Sequence, residues 1–250
     1  MIQKIEELSM NAIPALYTNL VNGWVVRFSN GYSKRANSVN PIYACSVDIN
    51  KNIGICDGIF QKNNLDTVFK LTEMETGYRV DEILNQKGYS YEAKTNIMLK
   101  DISKAQIKED EEKTVTIHRE LRSEWFDAFV SMNKVSSKNT LTLRKMLESI
   151  VPDTYYASIR DNGKIVAVGL GVAERGYIGM YDICVHEDER RKGLGTRIMK
   201  NLIYKAVKNG CKYSYLQVVD ANEGAKILYE KLGYKKQYSY WYRIKSLKAR

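Results

Sequence analysis

Cysteine, histidine and long apolar runs are all scarce in this chain, and each scarcity closes off a class of protein. Its four cysteines, Cys45, Cys56, Cys184 and Cys211, form no CxxC pair and have no disulfide-like density. That excludes a disulfide scaffold and fits a reducing, cytoplasmic setting. The two histidines, His118 and His186, make no ligand set with any cysteine spacing, so no metal is expected. The longest apolar run, Ile165 to Ala173, falls well short of the roughly 20 residues that cross a bilayer. The first residues, Met1-Ile2-Gln3-Lys4-Ile5-Glu6-Glu7-Leu8, carry acids and no apolar signal region, so neither a membrane span nor a secretion signal is expected. Acids are missing from one long stretch: from Arg190 to Lys212 there are eight Lys or Arg residues and no Asp or Glu.

What is present is a soluble, basic chain of 250 residues, with a net charge of +10 and 44% hydrophobic residues. The length allows one large domain or two ordinary ones with a sizeable core. The charge favours anionic partners, and it does not distinguish a nucleotide cofactor from nucleic acid or an acidic protein. A solvated helix face accounts for a basic run about as often as a ligand does. The position of this run, directly after a Gly-x-Gly turn, tips the reading toward a bound anion.

Apolar content falls and charge rises from about Asp101 to Lys113, which marks a boundary: residues 1–104 form a first domain, 105–113 a linker and 114–250 a second domain. In the second, strands are expected at Thr114–His118, Thr154–Ile159, Lys164–Val172, Tyr177–Val185, Tyr213–Val219 and Tyr234–Ile244. Asp161-Asn162-Gly163 reads as a hairpin turn. Helices are expected around Leu121–Phe129, Leu141–Ile150, after Gly195 and at Asn222–Leu232, with Gly210 and Gly233 as stops. Leu194, Ile198, Leu202 and Ala206 make one apolar stripe. In the first domain only Trp24–Phe28, Phe69–Thr72 and Thr95–Leu99 read as strands, and Asp81–Lys87 as a helix stopped by Gly88. The run Ile83 to Tyr89 echoes Leu228 to Tyr234, each a helix ending in Gly-Tyr.

Arg190-Arg191-Lys192-Gly193-Leu194-Gly195 follows a strand and opens a helix. A strand, a basic Gly-x-Gly turn and a helix N-terminus together make a place to hold a diphosphate. Two glycines let backbone N–H groups approach the anion, and the helix dipole adds to the attraction.

With the later runs Gln217-Val218-Val219-Asp220-Ala221-Asn222 and Ala225 to Tyr234, residues 114–245 resemble the GNAT (GCN5-related) N-acetyltransferases. The family's acetyl-CoA signature stands here as Arg190, Gly193 and Gly195. Gly23 to Phe28 and Lys34 to Pro41 are similar to the N-terminal halves of a two-part bacterial subgroup, in which the first half is a degenerate GNAT unit. The resemblance implies an α/β fold of mixed, α+β-like character: two GNAT-like units, each a central, mostly antiparallel mixed sheet flanked by helices.

It also implies direct transfer of an acetyl group from acetyl-CoA, a cosubstrate, to a primary amine on a small molecule or peptide. Arg190, Arg191, Lys192, Gly193, Leu194, Gly195 and Thr196 would hold the pyrophosphate, and Ile183, Cys184 and Val185 would present a strand edge to the pantetheine arm. Tyr229 matches the family's tyrosine beside the CoA sulfur and would act as general acid; a buried aromatic with a satisfied hydroxyl is the alternative. The base stays open. Where some relatives carry a glutamate this chain has Gln217 or Gly179. Asp182 remains as the acidic candidate, orienting a cationic amine, acting through water, or only closing a local hydrogen-bond network, and a solvent relay needs no residue. Asn222 would hold cofactor or cap its helix. A non-catalytic acyl-CoA sensor is the first rival and a nucleic-acid-binding protein, supported only by charge, a weaker one. The acceptor and the oligomeric state are not encoded in any of these motifs.

Overall fold

In the computed structural model, which describes residues 1–104 and 115–247, seven α-helices flank mixed β-sheet. The chain elements are α1 (Ile2–Ala12), β1 (Tyr17–Val21), β2 (Trp24–Phe28), β3 (Ser38–Asn40), α2 (Ile49–Lys62), β4 (Thr67–Thr72), α3 (Glu75–Gln86) and β5 (Ser90–Asp101). There follow β6 (Val115–His118), α4 (Ser123–Met132), α5 (Ser137–Glu148), β7 (Asp153–Asp161), β8 (Lys164–Glu174) and β9 (Tyr177–Val185), then α6 (Leu194–Lys208), β10 (Tyr213–Val219), α7 (Glu223–Lys231) and β11 (Lys235–Lys245). The linker expected at 105–113 lies outside the described residues. Among them no helix is long and apolar enough to cross a membrane.

The chain divides into two compact units that interleave along the sequence. One holds Met1–Ile97, Val218–Leu228 and the described residues from Lys236 onward; the other holds Met98–Gln217 and Tyr229–Lys235. Strands of the first unit lie in the order β1-β2-β3-β4-β11-β5. Its hairpin β1–β2 turns at Asn22-Gly23, both with positive φ (48° and 94°), the backbone that a two-residue turn of the primed class requires. β3 runs parallel to β4, and β4 antiparallel to β11. One face of this sheet carries Trp24, Val26, Phe28, Phe69, Leu71 and Trp241 into a core closed by α2 and α3. On the opposite face the buried layer is polar. Lys70 pairs with Glu6 of α1, Tyr238 donates to the same carboxylate at 2.8 Å, and the Lys70 ammonium sits 4.1 Å from the Tyr240 ring centre.

In the second unit the order is β10-β9-β8-β7-β6. From β6 to β9 every neighbour is antiparallel; β9 and β10 are parallel. The Asp161-Asn162-Gly163 turn is present, with positive φ at Asn162 (46°) and Gly163 (79°). The expected α6 stripe holds at Ile198, Leu202 and Ala206, which are buried with Met199 and Ile203, while Leu194 is half-buried. Gly88, Gly210 and Gly233 each end a helix at φ near +80°, and after each the next residue's N–H reaches back five residues: Tyr89 to Leu84, Cys211 to Ala206, Tyr234 to Tyr229.

Candidate active site

The site begins as a fault in the β8–β9 ladder. Val168 faces Cys184 and Leu170 faces Tyr181, so Asp182 and Ile183 together oppose Gly169. This is a β-bulge. Asp182 takes it up with a φ of +53°. Gly169 is a glycine for a packing reason: a Cβ there would lie 2.5 Å from Ile198 Cγ2 and 2.6 Å from Ile183 Cδ1. The bulge thus turns Ile183 over Gly169 onto α6. On its other edge β9 pairs with β10 only from Tyr177↔Tyr213 to Met180↔Leu216, although β9 continues to Val185. Ile183–Val185 therefore lies beyond the stretch of β9 that is paired with β10.

At the end of that strand the chain makes one 3-10 turn, Glu187–Glu189, and enters the basic loop. Arg190 reaches back, its Nε donating to the Val185 carbonyl at 3.3 Å. Arg191 and Gly193 have φ of +65° and +79°. The first bond of α6 runs from Arg197 N–H to Gly193 C=O at 3.0 Å, so the N–H groups of Leu194, Gly195 and Thr196 precede the helix ladder; among the described residues they have no acceptor. A Cβ on Gly193 would meet nothing, and its left-handed φ is what calls for glycine. Gly195 is different. Its φ is ordinary, and a Cβ would make only van der Waals contacts with Ile183 Cγ2 (3.6 Å) and Val185 Cγ2 (3.8 Å). Neither backbone nor packing demands that glycine, whereas close approach of an anion to the helix end does. The same contacts seat the start of α6 on Ile183 and Val185. Lys192 bonds Glu189 at 2.9 and 3.0 Å, an exposed pair of small energetic weight.

Tyr229 stands near the end of α7, half-buried, its ring 6.2 Å from that of Tyr234 and edge-on to it. Burial raises its phenol pKa, so it is protonated at neutral pH. Its hydroxyl has no hydrogen-bond partner among the described residues, whereas the buried Tyr234 hydroxyl shares a 2.6 Å hydrogen bond with Ser214. Asn222 belongs to the first unit and caps α7: its side-chain oxygen accepts from Ala225 N–H at 3.1 Å. Asp182 is half-buried and its charge is felt by Tyr156 and Cys184. Burial pushes the Cys184 thiol above its usual pKa, against the pull of Arg190 and an Asn133 hydrogen bond, so it is not a thiolate at neutral pH.

Two features were not legible in the sequence. A Cβ on Gly179 would fall 2.5 Å from the Tyr181 ring and 2.7 Å from that of Tyr215, so no acidic side chain fits there. The two rings cross over this glycine, and the Tyr181 hydroxyl donates to Tyr215 at 2.8 Å. A glycine inside a strand pattern was the available signal. The second feature is a pocket of about 250 Å³ past the end of β9, lined by Ser131, Met132, Lys134, His186, Glu187 and Asp188, with Lys134 paired to Glu187 at 3.1 Å.

Residues 1–243 match the family model described as "Probable histone acetyltransferase Rv0428c C-terminal". Over 248 residues, 98% of each chain, this one is 27% identical to the "Uncharacterized N-acetyltransferase YobR" of Bacillus subtilis. Among solved structures, a GCN5-related N-acetyltransferase from Kribbella flavida superposes with a TM-score of 0.71 at 15% identity, covering 98% of this chain and 95% of that one. A tandem GNAT protein from the clavulanic acid biosynthesis pathway gives 0.64 at 8% identity, covering 78% and 69%. With its basic Gly-x-Gly turn after a bulged strand and a match that runs nearly end to end, the chain belongs to this Rv0428c-like family of two-part GNAT N-acetyltransferases.

Proposed function

We propose that the second unit binds acetyl-CoA and transfers its acetyl group directly to a primary amine. The observation that carries this is the open N-terminus of α6: three backbone N–H groups and a sterically unneeded Gly195, seated on the strand end Ile183–Val185. The residues fit the cosubstrate. Arg190 to Thr196 would take the pyrophosphate, and the edge of Ile183, Cys184 and Val185 beyond Met180 would take the pantetheine amides. Bound there, acetyl-CoA supplies the thioester carbonyl that the amine attacks.

The chain's own residues then have two tasks. One is to polarise the carbonyl, for which an N–H of the splayed strand edge is suited. The other is to move protons. The C–N bond forms as the C–S bond breaks, the amine loses a proton, and the sulfur takes one. Tyr229 has a protonated hydroxyl with no protein partner, which suits it to give that proton and to be restored from solvent. Asp182, at the bulge, would hold the incoming cationic amine or accept its proton through water. Freeing the lone pair of an ordinary amine at neutral pH costs roughly 4–5 kcal/mol. Cys184, kept as a thiol, favours direct transfer over an acyl-cysteine.

The test is release of free CoA thiol from acetyl-CoA in the presence of a panel of small amines, peptide N-termini and lysine peptides. Acceptor-dependent release supports the assignment. Tight acetyl-CoA binding with no release for any amine would replace it with an acyl-CoA sensor.

A further inference from the structure

The outermost strand of the first unit, β1, has a single neighbour. β2 pairs with it from Tyr17↔Phe28 to Val21↔Trp24, and among the described residues no strand lies on its other side. The Asn22-Gly23 turn has two residues, so the pair that closes it, Val21↔Trp24, exchanges hydrogen bonds, and so does every second pair before it. The N–H and C=O groups of Val21, Asn19 and Tyr17 are therefore engaged with β2, and those of Leu20 and Thr18 point outward. Edge strands are commonly protected by charge, proline or a bulge. β1 has none of these. It reads Tyr-Thr-Asn-Leu-Val, keeps one register against β2, and leaves Tyr17 68% and Leu20 74% exposed. The surroundings are as uncharged as the strand. In a chain with 27% charged residues, Leu8 to Val26 contains no Lys, Arg, Asp, Glu or His, the longest such stretch. Ala36 to Val47, which holds β3, contains none either. Arg27 lies between the two stretches, but it is buried and its guanidinium donates to the carbonyls of Arg35 (2.7 Å) and Met10 (3.1 Å). A net charge of +10 makes copies of this chain repel one another, and a neutral edge adds nothing to that repulsion.

We propose that β1 pairs with β1 of a second copy of this chain, antiparallel and about a two-fold axis through Asn19. That axis engages both outward residues of each strand: Thr18 lies opposite Leu20 of the second copy, and the two such pairs exchange hydrogen bonds. On one face Tyr17 lies opposite Val21 of the second copy, an aromatic ring against a β-branched side chain; on the other, Leu20 lies against Thr18. A second copy is the favoured occupant because the strand is its own complement, uncharged and with matching outward groups. An acidic partner, which the net charge would otherwise draw, finds no exposed cation on this edge. A stable interface takes about 20–30 residues a side, and a five-residue strand with its flanks supplies fewer, so the dimer is weak and depends on concentration. The inference goes beyond acetyl transfer and does not depend on it, because β1 belongs to the first unit and the basic turn to the second.

The test is sedimentation velocity of the full chain across a concentration series. A monomer–dimer equilibrium with a dissociation constant of about 10–100 µM is expected. Raising salt from about 50 to about 500 mM should leave it unchanged or strengthen it, by screening the net charge. Leu20→Lys, which charges the edge, should weaken dimerisation at least about tenfold with the melting temperature of the dilute protein unchanged. If that change unfolds the hairpin, Thr18→Pro serves, because it removes an outward N–H and no hydrogen bond between β1 and β2. Asn19→Cys should give a disulfide-linked dimer on mild oxidation that the wild type, with its four cysteines, does not form. A chain that stays monomeric up to about 500 µM overturns the proposal and leaves the edge to a strand of another protein. A dimer that keeps its affinity in both edge variants, that dissociates as salt rises, or that Asn19→Cys fails to cross-link would place the contact elsewhere and overturn it too.

Discussion

Tyr229 and Tyr234 close the same helix and differ in what their hydroxyls touch, which lets their roles be separated. Tyr234 is buried and bonded to Ser214; Tyr229 is half-buried with no partner among the described residues. Tyr229→Phe should slow turnover at least about tenfold while leaving acetyl-CoA affinity within about twofold, as expected for a group used only in the chemical step. Tyr234→Phe should do the reverse, costing about 1 kcal/mol in urea melts with turnover nearly unchanged. Equal rates for Tyr229→Phe and the wild type would remove Tyr229 from the mechanism. At this scale Tyr229 and Asp182 were candidates through the family resemblance, and the two glycines through their place between a strand and a helix. The sequence did not carry the Tyr181–Tyr215 pair, because two side chains meeting over Gly179 depend on the register of β9 against β10. Nor did it carry the reason for Gly169, which exists only because Ile183 and Ile198 meet above it.

Among the elements, the legible ones were those with strong periodicity and a clean stop: β9, β10, α6 and α7. The first unit was poorly legible for physical reasons. α2 contains Gly54 and Gly58 and is held by burial of Ile53, Cys56 and Phe60 rather than by propensity. In α1 the buried Glu6 and Ser9 interrupt the apolar pattern. β3 is only three residues long, and the Asn22-Gly23 turn is the one strong local signal in this stretch. The N-terminus of α2 is capped by the chain's own carboxylate, Asp48, which accepts from Lys51 N–H at 3.0 Å, and a Cβ on Gly23 would strike the Ala44 carbonyl at 2.0 Å. Two stability predictions belong at this scale. Lys70→Met strands the Glu6 carboxylate, which is fully buried, and should cost about 3–5 kcal/mol by denaturant melts; a loss below about 1 kcal/mol would mean the pair does not anchor α1. For Asp81, burial alone would raise the pKa, but hydrogen bonds from Arg243 and Trp241 outweigh it and the net shift is downward. A carboxyl with a lowered folded pKa stabilises the fold above its unfolded value, about 3.9, and that contribution is lost as pH falls toward the folded value. The stability advantage of the wild type over Asp81→Asn should therefore shrink as pH drops from about 6 to about 3. An advantage that grew on acidification would contradict the assignment.

For the molecule as a whole, the two compact units are not consecutive stretches of chain. β11, from the C-terminal end, is paired with β4 over Tyr240↔Thr72 to Lys245↔Thr67. Deleting residues 1–104 removes β4 from that ladder and uncovers Tyr240, Trp241 and Tyr242. The remainder should lose its cooperative melt and elute as aggregate on size exclusion, whereas a monomer with a sharp transition would show that the second unit holds its fold unaided. The central claim, that the turn after β9 binds acetyl-CoA, is tested most directly by calorimetric titration of the wild type and Gly193→Glu with acetyl-CoA. Gly193 is at φ +79°, and the glutamate adds both a strained side chain and a negative charge at the anion site. Micromolar binding by the wild type, about −8 kcal/mol, is expected, abolished in a variant that remains folded. A folded wild type that binds no acetyl-CoA, or a variant that binds it equally well, would contradict it.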